Sequence, residues 1–127
     1  MEIDAPVINH AFLEALGEEH FDRRSFMKWE RIMHSHGATF QEITALRYGK
    51  FDRFVDVVVY PASTEHVIEI VRIADAHNVC LVPYGGGTNV TQSLMINTSE
   101  KRMVVSIDMA RMNAIRWVDK ENNMACI

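Results

Sequence analysis

Residues 82–90 read Val-Pro-Tyr-Gly-Gly-Gly-Thr-Asn-Val, and half of the chain's six glycines stand here side by side. Without Cβ atoms, consecutive main-chain N–H groups can point into one concavity, a nest that suits an anion. Glycine also admits positive φ at no steric cost. The Thr88 hydroxyl and the Asn89 amide add donors for phosphate oxygens, and Pro83 stiffens the entry. Tyr84 could edge a sugar or base, or lie exposed. Pro83, Tyr84, Gly85, Gly86, Gly87, Thr88 and Asn89 are therefore the candidate binding residues, and their natural tenant is a phosphate or pyrophosphate. The common nucleotide signatures do not fit: Gly-x-Gly-x-x-Gly needs glycine where Val90 stands, and no Gly-Lys-Ser/Thr occurs.

Other reactive side chains have plainer readings. His34 and His36 lack further ligands at metal spacing, so no metal site is assigned; a histidine at a helix end, facing the dipole, is expected instead. Asp108 invites a general-base role, but its place after a strand favours capping the turn that follows. Arg47 and Arg53 could reach a phosphate, though pairing of Arg53 with Asp52 or Asp56 is expected. Trp29 and Trp117 are expected as core anchors. Cys80 and Cys126 are read as two reduced thiols, which favours a reducing compartment.

These residues need elements to hold them. Residues 9 to about 36 carry apolar side chains at helical spacing, with Gly17 dividing two helices. Thr39-x-x-Glu42 fits a capping box opening a short helix. The β-branched run Val55–Tyr60 predicts a strand. Ser63 caps the next helix, which buries Val67, Ile70, Val71 and Ala74 and ends at a left-handed Asn78. A second strand, 79–82, delivers the glycine loop, and a third spans 102–107. A β-hairpin is expected over 116–127. A loop after a parallel strand lies where open α/β sheets bind ligands.

Composition narrows the partners. A 127-residue chain predicts one domain. It is 48% apolar and 24% charged, with a net charge of -4 and no basic block, so no nucleic-acid partner is expected. There is no apolar run of about 18 residues to form a transmembrane segment. The chain displays no targeting signal, and its end inside an apparent strand suggests a fragment.

Pro83-x-Gly85-Gly86-Gly87-Thr88-Asn89 after strand and proline resembles the first flavin-binding segment of the FAD-binding PCMH-type domain in the vanillyl-alcohol-oxidase superfamily. The run from His36-Gly37 through Glu42-Ile43, Leu46-Arg47, Gly49, Phe51, Arg53, Asp56 and Pro61 is similar to the alkyldihydroxyacetonephosphate synthase family. So are Ser93-Leu94-Met95, Ser106-Ile107-Asp108 and Trp117-Val118-Asp119. The resemblance covers about residues 34 to 127.

It implies an α/β (α+β) fold, a small parallel βαβ sheet with a C-terminal hairpin, as the start of a PCMH-type domain over 51–127 behind a helical region over 1–50. It further implies that Pro83 to Asn89 wrap the FAD pyrophosphate. FAD would be held non-covalently, since glycine stands where some relatives carry a flavin-linked histidine. The implied reaction exchanges the acyl chain of acyl-dihydroxyacetone phosphate for a fatty alcohol in ether-lipid synthesis, without net redox change. Peroxisomal placement follows from the resemblance, and a homodimer is compatible with it. The family's catalytic residues lie beyond this chain, so none is assigned here. An FAD-linked 2-hydroxy-acid oxidoreductase, such as a D-lactate or glycolate dehydrogenase relative, and a non-enzymatic anion-binding module remain as alternatives.

Overall fold

The computed structural model describes residues 2–127. Four helices, α1 (His10–Leu16), α2 (Lys28–Met33), α3 (Phe40–Arg47) and α4 (Thr64–Ala76), accompany six strands. The strands are β1 (Arg23–Ser25), β2 (Val57–Tyr60), β3 (Cys80–Tyr84), β4 (Val104–Asp108), β5 (Trp117–Asp119) and β6 (Met124–Cys126). The main sheet runs β1-β2-β4-β3, and β5 pairs only with β6.

Strands β2, β4 and β3 are parallel, with Val57 opposite Val105 and Tyr84 opposite Asp108. Every residue of β2 and β4 is buried, as expected for a parallel sheet covered on both faces. Alternation divides their side chains. Val57, Val59, Val105 and Ile107 meet α1 and α4 through Phe12, Leu16, Ile70, Ile73 and Ala74. Val55, Val58, Tyr60 and Val104 form a smaller cluster with Ile96 on the opposite face.

Local signals formed α4 as expected. Ser63 accepts from the His66 N–H at 3.2 Å, and Asn78 takes φ of 53° past the helix end. The buried face is shifted slightly: Ile73 is buried and Val71 is 48% exposed.

The region over 1–50 differs from an all-helical reading. Gly17, at φ 60°, ends α1, and residues 23–25 form β1 antiparallel to β2. The edge of β2 would otherwise present unpaired main-chain groups, and that long-range pairing overrides the local periodicity. Trp29 is left on a single short helix and is 56% exposed, so it is not a core anchor. Trp117 is 51% exposed for a related reason: its hairpin contributes to neither core cluster.

The capping box at α3 is complete. The Thr39 hydroxyl accepts from Glu42 N–H, while the Glu42 carboxylate accepts from the N–H groups of Thr39 (3.2 Å) and Gly37 (2.9 Å) and from the Thr39 hydroxyl (2.7 Å). Burial pushes this carboxyl's pKa up, but the donors outweigh it and the net shift is downward. The group therefore stabilises the fold above the unfolded carboxyl's pKa of about 4.3, and loses that contribution as pH falls through the lower folded value. Urea midpoints of the parent and Glu42→Gln should differ most near neutral pH and converge on acidification. A constant gap down to pH 3 would contradict this role.

Candidate functional site

The glycine loop leaves the carboxyl end of β3, which runs through Pro83 and Tyr84. A proline is tolerated there because β3 is an edge strand and needs no ladder donor on its free side. Pro83, Gly85, Gly86, Gly87, Thr88, Asn89, Ser93 and Leu94 line a hollow of about 230 Å³. The sequence-predicted residues thus surround one concavity, with Tyr84 turned behind it.

The three glycines serve different ends. A Cβ at Gly85 would meet nothing within 4 Å, and one at Gly86 only a Thr88 methyl at 3.6 Å. Internal packing therefore does not demand glycine at either position. Gly87 is required by the fold itself: its φ is +67°, and a Cβ would lie 2.4 Å from the Tyr84 hydroxyl. Among the described residues, no protein group accepts a hydrogen bond from the main-chain N–H of Gly85 through Val90. Free donors around bare backbone fit a diphosphate, and thus fit the pyrophosphate bridge of FAD.

Asn89 does something the sequence reading did not assign. Its main-chain carbonyl accepts from Ala38 N–H at 2.8 Å, and its side-chain oxygen accepts from Ser93 N–H at 3.1 Å. Gly37, read from sequence as a helix stop, makes this approach feasible, for a Cβ there would sit 2.5 Å from the Asn89 carbonyl oxygen. No local signal marks such a contact.

His34, Asp108 and Tyr84 form a group behind the loop. Asp108 caps the 3₁₀ turn Met109–Arg111 by accepting from Ala110 N–H at 2.8 Å, as expected. It also lies 2.7 Å from His34 Nε2, with both side chains buried. Burial, followed by the nearby Asp108 carboxylate, pushes the Tyr84 phenol above its ordinary pKa of 10, so it stays neutral.

The remaining candidates are dispersed. Arg47 is exposed, whereas Arg53 is bound to the buried Asp56 carboxylate. Both cysteines are free and half-buried. Among the described residues, no group of three or more His, Cys, Asp or Glu side chains could hold a metal ion, and no helix is long and apolar enough to cross a membrane.

A family model described as FAD binding domain matches residues 55–127, from just before β2 through the hairpin. The chain belongs to this FAD-binding family. FAD is its cofactor, and the nest after β3 lies inside the matched region. Alkyldihydroxyacetonephosphate synthase of Caenorhabditis elegans is 43% identical over 122 residues, which cover 94% of this chain and 20% of that protein. The synthase of Trypanosoma brucei brucei is 35% identical over the same shares. A solved alkyldihydroxyacetonephosphate synthase structure superposes with a TM-score of 0.89 at 32% identity, covering 98% of this chain and 23% of the other. The chain thus spans about one-fifth of the curated relatives it matches. The FAD-binding domain's mainly parallel sheet and antiparallel hairpin agree with the fold class expected from sequence.

Proposed function

We propose that the loop Pro83–Asn89 binds the pyrophosphate of FAD, and that the full protein carrying this domain is an alkyldihydroxyacetonephosphate synthase. It would exchange the acyl chain of acyl-dihydroxyacetone phosphate for a fatty alcohol. The observation that carries the site is the row of N–H groups from Gly85 to Asn89, free of protein acceptors in residues that line an open hollow. The substrate class rests on the synthase relatives, all matched across both the loop and its approach segment.

In this reading Gly85 and Gly86 allow phosphate oxygens close to the main chain, while the exposed Thr88 hydroxyl adds a side-chain donor. Asn89 shapes the loop, with its side-chain amide lying against Gly37 and its oxygen accepting from Ser93 N–H. Bound FAD would supply the chemistry at its ring; this domain's residues bind and orient it. Residues 83–95 contain no histidine or cysteine, so this loop offers the flavin no covalent attachment.

The full-length protein should purify yellow and release its flavin into the supernatant on acid precipitation. It should show fatty-alcohol-dependent exchange of labelled acyl-dihydroxyacetone phosphate. Flavin reduction by D-lactate or glycolate without alkyl exchange would refute the substrate assignment. A colourless protein that takes up no added FAD would refute the site.

A further inference from the structure

The glycine loop is gripped from behind by a segment outside the matched family region. Tyr84 ends β3, and its partner across the sheet is Asp108, at the end of β4. The Tyr84 ring lies over Gly87, so the ring's place and that glycine's left-handed backbone fix each other. On another side the ring meets the His34 imidazole, with centroids 4.1 Å apart and 40° between planes.

His34 is itself immobilised through both nitrogens. Nδ1 is 2.8 Å from the Glu30 carbonyl oxygen, which can only accept, so Nδ1 donates there. Nε2 faces the Asp108 carboxylate, which is fixed by its cap on Ala110. Next in the chain, Ser35 donates to the Arg31 carbonyl at 2.6 Å and accepts from Val55 N–H at 2.8 Å, fastening the end of α2 to the entry of β2. Two residues later, Gly37 and Ala38 abut Asn89. Residues 34–38 therefore hold both ends of the loop: Tyr84 and Gly87 through His34, and Asn89 through Ala38.

Resting on the FAD reading of the loop, we propose that His34 and Asp108 are positioning residues for the cofactor, acting through Tyr84. They touch no phosphate. They set the loop's curvature so that its N–H groups converge on the diphosphate bridge before it arrives, and such preorganisation lowers the ordering cost of binding.

The test is FAD titration of full-length apoprotein in a set of variants. Asp108→Asn keeps the cap and a polar partner for the ring, and its FAD affinity is the reference for the variants built on it. Adding His34→Ala in that background avoids an unpaired buried carboxylate and should weaken binding roughly tenfold further. Tyr84→Ala should cause a loss of similar size. Because His34 acts through the Tyr84 ring, His34→Ala should cost less than about twofold once Tyr84→Ala is present. A general loss of structure would make the two effects multiply. Multiplied effects overturn the positioning role, as do unchanged affinities or a loss seen only where the apoprotein no longer melts cooperatively. Parent protein that never binds FAD would instead remove the reading of the loop itself.

Discussion

Gly86→Val in the full-length protein is expected to abolish FAD retention while leaving the apoprotein folded. The two halves of that expectation have separate causes. The backbone at Gly86 lies outside the left-handed region, and the new Cβ would meet only the Thr88 methyl, at 3.6 Å. Nothing in the protein's own packing opposes it, so the melting temperature of the apoprotein should stay within a few degrees of the parent's. The valine methyls would enter the hollow where the main chain must come within hydrogen-bonding distance of a phosphate. Losing that approach should lower affinity at least about a hundredfold, or ~2.7 kcal/mol. Gly87→Ala makes the contrast: it is strained at φ +67° and collides with the Tyr84 hydroxyl, so it should destabilise the apoprotein by about 1 kcal/mol or more. Flavin content of the purified protein and melting of the stripped apoprotein measure both. Wild-type flavin content in Gly86→Val would show that the diphosphate lies elsewhere.

Features written in neighbouring residues were legible in the sequence. The caps at Thr39 and Ser63, the left-handed Asn78 and the β-branched run of β2 each depend on contacts within a few positions, and each formed. The glycine nest was legible for the same reason, since conspicuous bareness after an apolar strand needs no distant partner to be noticed. What escaped notice depends on the topology. Arg23 to Ser25 form a strand because β2 offers an open edge, in a register that runs from Ser25–Val58 to Arg23–Tyr60, and nothing within the stretch announces it. The pairing of His34 with Asp108 spans 74 residues. Gly37 is informative only once Asn89 is known to lie against it. The tryptophans failed differently: a large apolar ring implies burial only when an element packs over it, and α2 and the β5–β6 hairpin leave theirs half open.

Asp56→Ala should be among the most destabilising single substitutions in the domain, and should leave the cofactor site intact in whatever protein remains folded. Asp56 is fully buried. One carboxylate oxygen accepts from Val7 N–H (2.8 Å) and the Arg53 guanidinium (2.9 Å); the other accepts from Val104 N–H (2.7 Å) and Arg53 (2.6 Å). The same pairing holds the Arg53 pKa above its ordinary value. Alanine strands two main-chain donors and a largely buried guanidinium together, a loss of about 3–5 kcal/mol. Against a total of ~5–15 kcal/mol, that brings the domain near its unfolding limit. Asparagine should rescue little, because its NH₂ would face two donors where the carboxylate accepted both. Arg53→Met should cost less than either, since both main-chain donors keep their acceptor. Urea unfolding of the apoprotein should rank the three in that order. The carboxylate sits at the amino ends of β2 and β4, and the glycine loop leaves the carboxyl end of β3, so the two lie at opposite ends of the parallel strands. Saturating FAD at about a hundred times its Kd should therefore stabilise Asp56→Asn by the same ~2.7 kcal/mol as the parent. A smaller increment would mean that Asp56 reaches the loop through the register of β4, and that the two ends of the strands are coupled.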